Sequence, residues 1–320
     1  MMNIEMRERK SPFIHLNDKA NTYQGIVCEP FYVLSYYIGC PFACTYCYLQ
    51  GTFRGQVDPV LYRNRGRLLA ELETWLALPG HLRLNAGELE DSLALDGKIP
   101  LVDDLVPRFL AQERHTLLLV TKSTNVKNLL KYHPTDHVIV AFSVNCLAAW
   151  QLFEKKTPHP YQRLEAAAQV SAAGYITVLR LDPMLPVANW QDEYAELIDH
   201  AYSLFRPHQW TLGSLRFFPT LPMWTAKVGR STQVYNFGVE ASPEDRRRRL
   251  KTPLRLAMYR HAIGLIRWHD VDVPIRLCKE TVGMHQALNM PIRGCCYNTP
   301  LSRSRSCETS EVSVWQEVLL

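Results

Sequence analysis

At 320 residues, 47% of them hydrophobic, the chain can bury one large core or two small ones. Its net charge of +5 is too small to imply an anionic partner by itself. No run of eighteen or more apolar residues occurs, so no transmembrane helix is expected, and the mixed-charge start MMNIEMRERKSPFIHLNDKA lacks the apolar stretch of a secretory signal.

Residues 1–30 read as a polar arm. FYVLSYYIG, 31–39, is β-branched and aromatic and reads as a strand ending in Gly39. VLYRNRGRLLAELETWLA, 60–77, has apolar residues at helical spacing. Then come LRLNAG as a strand, LVDDLVPRFLAQ as a helix, HTLLLVTK as a strand, NVKNLLKY as a short helix and HVIVAFSVN as a strand. YQRLEAAAQVSAAG reads as a helix capped by Gly174. YITVLRLDP, WQDEYAELIDHAYSLF and WTLGSLRFF complete six strand–helix alternations. The strands are near-continuous apolar runs, as in a parallel sheet covered by helices. After Phe218 the pattern breaks into a Pro- and Gly-containing stretch with four arginines, Arg246 to Arg249, followed by one more helix and the strand VDVPIRLC. The expected organisation is an arm (1–30), a barrel-like α/β unit (31–218) and a C-terminal extension (219–320).

Nine cysteines are too few and too uneven for a disulfide scaffold. In a chain expected in the cytoplasm, where thiols stay reduced, a cysteine cluster points to metal or redox chemistry. Cys40, Cys44 and Cys47 crowd into GCPFACTYCYLQ. Three readings stand: unrelated buried thiols, a zinc site short of its fourth ligand, or a [4Fe–4S] cluster with one iron lacking a protein ligand.

C-x₃-C-x₂-C with an aromatic before the last cysteine resembles the signature of radical S-adenosylmethionine (SAM) enzymes. The pieces LLLVTKSTNVKNLL, VAFSVN, FEKKTPHPYQRLEAAAQVSAAGY, LGSLRF and LCKE are similar to the spore photoproduct lyase family within that superfamily. The resemblance implies a partial (β/α)₆ TIM-type barrel with the cysteines in the loop after its first strand. It implies a [4Fe–4S] cluster whose open iron takes SAM, and a 5′-deoxyadenosyl radical that abstracts hydrogen from the substrate. It also implies an electron donor such as flavodoxin or ferredoxin, and a nucleic acid or nucleotide substrate. Rival readings are radical modification of a peptide or small metabolite, and a non-enzymatic iron–sulfur or zinc protein.

By the same resemblance Tyr48 lies near SAM, and Tyr46 and Tyr48 can relay a hydrogen atom. Glu88, with Glu90 as the alternative, takes the SAM ammonium. Lys122 and Ser143 contact SAM, and Asn145 ends the fourth strand beside Ser143; Arg180, ending the fifth strand, reads either as a second partner for the SAM carboxylate or as an arginine paired to Asp182. In barrels of this kind functional residues gather at the C-terminal ends of strands. One departure stands out. The lyase carries a hydrogen-donating cysteine in the loop after the second strand, and here Leu82 to Ser92 contain none. Cys278, Cys295, Cys296 and Cys307 form a second group, read as structural thiols, a substitute hydrogen donor or ligands of an auxiliary cluster. Glu280, in LCKE, is a candidate for facing the substrate. The arginine run is expected as a solvated helix face, with phosphate contact the sharper reading and Trp224, Tyr235 and Phe237 nearby as a stacking platform.

Overall fold

The computed structural model describes residues 4–18 and 23–295; Cys296 and Cys307 lie outside the described residues. The centre is an eight-stranded sheet whose spatial order follows the chain: β1 (Ile14–Asn17), β2 (Phe31–Leu34), β3 (Arg83–Asn85), β4 (Thr116–Thr121), β5 (Val138–Ser143), β6 (Ile176–Met184), β7 (Gln209–Ser214) and β8 (Ile275–Leu277). From β2 to β8 every neighbouring pair is parallel. Only β1 runs antiparallel, on the edge beside β2. Strands that stay in chain order with crossovers between them make a singly wound, barrel-type sheet.

Helices cover one face: α1 (Arg65–Leu76), α2 (Leu101–Leu110), α3 (Leu147–Phe153), α4 (Pro160–Ala172), α5 (Trp190–Leu204) and α6 (Thr252–His269). Period-2 alternation divides the strands between two cores. Leu117, Leu119, Val140 and Phe142 pack with the helices. Phe31, Val33, Leu118, Ile139, Ala141, Ile176 and Val178 form a second cluster on the opposite face. Among the described residues no helix is long and apolar enough to cross a membrane.

Several local expectations shift. The arm contributes β1 to the sheet, because Ile14 to Asn17 pair with Leu34 to Phe31. The helix expected from residue 60 starts at Arg65; Val60–Tyr62 form a strand with Tyr37–Ile38. The expected 125–132 helix is one 3₁₀ turn, Leu129–Lys131. α4 starts on a capping box from His159 and Gln162 and stops at Gly174, whose φ of +95° suits the residue after a C-cap. WTLGSLRFF divides after Ser214. Arg216–Phe217 leave the main sheet and pair with Arg248–Leu250.

The arginine run is not a helix face. Arg248–Leu250 is a strand, and its period-2 pattern buries Arg247 and Arg249 while Arg246 and Arg248 stay exposed. Asp245 takes both buried guanidiniums, Arg247 at 2.8 Å and Arg249 at 2.6 Å. A charge run that alternates in a strand neutralises half its charges internally, so it is not a continuous phosphate-binding stripe.

Candidate cofactor and substrate site

The cysteine loop leaves β2 through Gly39, whose φ is +85°. A Cβ built there would stand 2.5 Å from the Asp58 carbonyl oxygen, so only glycine fits. Gly39 N–H donates to the Leu89 carbonyl at 3.1 Å and Cys40 N–H to that of Val57 at 3.0 Å. Ala43–Cys44 pair antiparallel with Glu154–Lys155. The buried Gln50 side chain donates to the carbonyls of Thr45 and Cys47, both at 2.9 Å. Tyr235 donates to the Thr45 carbonyl at 3.0 Å, and Phe237 meets Phe153 edge-on at 5.9 Å. These two aromatics therefore support the loop from below instead of offering free stacking surfaces.

Under the loop lies a fully buried ion pair. Glu154 contacts Arg163 at 2.6 Å, with no exposure of either side chain. Arg163 also donates to the carbonyls of Pro158 (2.9 Å) and Ser143 (3.1 Å) and to the Thr157 hydroxyl (2.8 Å). Tyr46 donates its hydroxyl to Glu154, and the Lys122 ammonium stands 5.7 Å over the Tyr46 ring. Burial opposes the Glu154 charge, but Arg163 and Lys122 outweigh it and lower the carboxyl below its ordinary value. Burial likewise opposes the Lys122 charge, and Glu154 outweighs it. One charge network thus joins the cysteine loop, the end of β4 and the end of β5.

Cys40, Cys44, Cys47, Tyr46, Tyr48, Glu88, Lys122, Ser143 and Arg180 all line one cavity of about 670 Å³. Asn145 is not among its lining residues. Asn145 donates to the Pro183 carbonyl at 3.0 Å and accepts from the Tyr194 hydroxyl at 2.9 Å, a brace between β5 and β6. Glu88 accepts from Lys279 at 2.8 Å, and Tyr48 donates to the Glu88 carbonyl. Glu90 also lines the cavity. It accepts from Tyr36 N–H at 2.9 Å, and burial raises its carboxyl well above the usual range. Of the two candidates, Glu88 is the one with a cationic partner, Lys279. Asp91, which sequence reasoning passed over, holds the β4 end by accepting from Thr121 Oγ1 at 2.6 Å and Lys122 N–H at 2.7 Å.

Arg180 pairs with Asp182 at 3.3 Å, and Arg216 grips the same carboxylate at 2.8 and 3.1 Å. Burial opposes the Asp182 charge, yet Arg216 and Arg180 hold its carboxyl below the ordinary value. Cys278 accepts from both arginines and lines the cavity with Cys28 and Cys295. Glu280 instead turns into a buried network, accepting from Tyr259 at 2.9 Å with Arg249 and Arg255 each 3.6 Å away. Lys279 and Cys28 have no sequence-level signal. A φ of +50° at Lys279 is the local backbone cost of aiming its side chain at Glu88.

Among the described residues no three His, Cys, Asp or Glu side chains gather tightly enough to hold a single metal ion. Zinc would need all its ligands on one ion, whereas a [4Fe–4S] cube takes one thiolate per iron, at separate corners. Burial pushes the Cys44 thiol up to about 12 and raises those of Cys40 and Cys47. Such sulfurs become thiolates only against a compensating cation. Three desolvated thiols that line one cavity with Lys122 suit a cube, which takes one thiolate at each of three corners and leaves the fourth iron open.

The family model described as spore photoproduct lyase matches residues 19–214. Spore photoproduct lyase of Clostridium acetobutylicum is 25% identical over 179 residues, covering 54% of this chain and 53% of that protein. The chain thus spans about half the length of this curated relative. A structure described as spore photoproduct lyase complexed with dinucleoside spore photoproduct superposes with a TM-score of 0.71 at 18% identity, covering 85% of this chain and 81% of the other. A double mutant of the lyase with bound AdoMet and dinucleoside spore photoproduct gives 0.69, at the same identity and coverage. These structural likenesses establish the shared fold.

Proposed function

The chain belongs to the spore photoproduct lyase family, and from that premise we propose that it is a cytoplasmic radical SAM enzyme acting on a lesion in nucleic acid. The observation that carries the reading is the convergence of Cys40, Cys44, Cys47, Glu88, Lys122 and Ser143 on one cavity. Cys40, Cys44 and Cys47 hold a [4Fe–4S] cluster. When bound, the cluster and SAM supply reductive cleavage of the sulfonium and a 5′-deoxyadenosyl radical; a flavodoxin- or ferredoxin-type donor supplies the electron.

The chain's own residues bind, orient and keep water out. Lys122 offers its charge to the SAM carboxylate, and Ser143 donates a hydrogen bond from the end of the next strand. Glu88 accepts from the SAM ammonium. Lys279 fixes the Glu88 carboxylate at 2.8 Å, and Arg180 lines the same cavity. The rim supports a planar occupant. Tyr48 and Leu16 are 46% and 49% exposed there, and Phe218, 42% exposed, has the Arg247 guanidinium 4.8 Å over its ring. The exposed ring of Phe218 is a stacking surface for a base, while Arg247 behind it is paired with Asp245.

Anaerobic reconstitution with iron and sulfide, reduction, and chromatographic assay for 5′-deoxyadenosine test the proposal. Formation stimulated by a lesion-bearing oligonucleotide is expected. SAM left intact by the reduced, cluster-loaded chain would refute it.

A further inference from the structure

Among the described residues, three thiols outside the cysteine loop line the cavity: Cys28, Cys278 and Cys295. Cys278 directly follows β8. Leu277 and Gly294 form a parallel bridge, which brings the next residues, Cys278 and Cys295, side by side, and their side chains hydrogen-bond. Arg180 and Arg216 donate to the Cys278 sulfur at 3.4 and 3.3 Å, and both arginines are tied to Asp182. The sulfur position is therefore set by groups from β6, from the segment after β7 and from β8. Cys28 packs beside Gly294, but its sulfur contacts the Glu29 carbonyl oxygen, at 3.8 Å, where that of Cys278 takes the two arginines.

Resting on the radical reading above, we propose that Cys278, with Cys295 as its hydrogen-bonded partner, is the catalytic thiol that returns a hydrogen atom to the substrate-centred radical. The role has moved from the loop after β3, where Glu88 pairs with Lys279, to the strand that extends the sheet. In the step, the Cys278 S–H bond breaks homolytically and a C–H bond forms on the substrate carbon. The substrate radical is reduced, and the sulfur is oxidised by one electron to a thiyl. One electron from a flavodoxin- or ferredoxin-class donor and one solvent proton restore the thiol.

A hydrogen-atom donor must keep its proton. The hydrogen bond with Cys295 and burial together hold the Cys278 thiol well above its ordinary range, against the pull of Arg216. The thiol opens on the same cavity as Tyr48, Glu88 and the three loop cysteines.

The test uses the full chain with cluster, SAM and reductant, a synthetic spore-photoproduct dinucleotide, and deuterated water. Exchangeable thiols carry deuterium there, so the product thymine should gain one deuterium. Cys278→Ala and the near-isosteric Cys278→Ser should still make 5′-deoxyadenosine but lose the deuterated product, whereas Cys28→Ala should keep it. A readout independent of turnover is cross-linking by diamide in the full chain carrying Cys296→Ser. Peptide mass spectrometry should find a Cys278–Cys295 disulfide, because the paired register gives the spacing such a bond needs. Absence of that cross-link refutes the pair. Deuterated product from Cys278→Ala with 5′-deoxyadenosine still formed refutes the donor alone. A chain that makes no 5′-deoxyadenosine refutes the proposed function and this inference with it.

Discussion

Arg163→Ala should be among the costliest single substitutions in the chain, although residue 163 touches neither cofactor nor substrate. The change removes one partner of an ion pair with no exposed side-chain surface. Breaking a buried pair from one side typically costs about 3–5 kcal/mol, because the other charge is left uncompensated. Three further acceptors, the carbonyls of Pro158 and Ser143 and the Thr157 hydroxyl, lose their donor as well, which places the expectation in the upper half of that range. The double variant Glu154→Met, Arg163→Met should recover much of the loss, since apolar replacement of a buried pair is often near neutral. Recovery should stop short of complete, because the Tyr46 hydroxyl would lose its acceptor, at about 1–3 kcal/mol. Urea unfolding under anaerobic conditions, read alongside iron content, measures both effects. The pH dependence has a fixed sign. The Glu154 carboxyl is lowered from 4.5 in the folded chain, so its contribution is fully present above that pH. It is lost as pH falls through the folded value. An Arg163→Ala chain as stable as the unsubstituted one would refute the argument.

Three other outcomes follow from the site. Changing Cys40, Cys44 or Cys47 to Ala should abolish iron–sulfur absorbance and SAM cleavage together; full zinc occupancy without iron in the anaerobically purified chain would count against the assignment. Lys122→Ala and Ser143→Ala should keep the cluster and weaken SAM binding, by about 1.5–3 kcal/mol for the charged contact, and wild-type affinity in equilibrium binding would remove both residues from the site. Gly39→Ala should fold the core but lose cluster retention, because the new Cβ collides with the Asp58 carbonyl; normal iron content in that variant would mean the loop tolerates the shift.

The parts of this molecule that were legible beforehand are those with a local signature. Continuous apolar runs as short as Leu117–Val120 and Val138–Phe142 read as covered strands by their length, and both pair in the central sheet. The C-x₃-C-x₂-C spacing singled out three cysteines that the structure places on one cavity. What stayed hidden depends on partners far apart in the chain. Glu154 is unremarkable in sequence until α4 brings Arg163 against it and strand pairing brings Cys44 beside it. Arg246 to Arg249 resemble a surface run because composition carries no information on which residues alternate inward toward Asp245. Lys279 and Glu88 lie 191 positions apart, and no periodicity relates them. Asn145 follows β5 just after Ser143, yet the Tyr194 hydroxyl and the Pro183 carbonyl occupy its amide. A motif reader cannot separate such a brace from a ligand contact.

The account's central claim is that Cys40, Cys44 and Cys47 hold a cluster with one iron open to SAM. Electron paramagnetic resonance of the reduced, reconstituted chain, before and after adding SAM, tests it most directly. A [4Fe–4S]⁺ signal that changes on SAM addition, and that is missing from each of the three cysteine variants, is the predicted result. A signal indifferent to SAM, or one that survives loss of any of these cysteines, would contradict it.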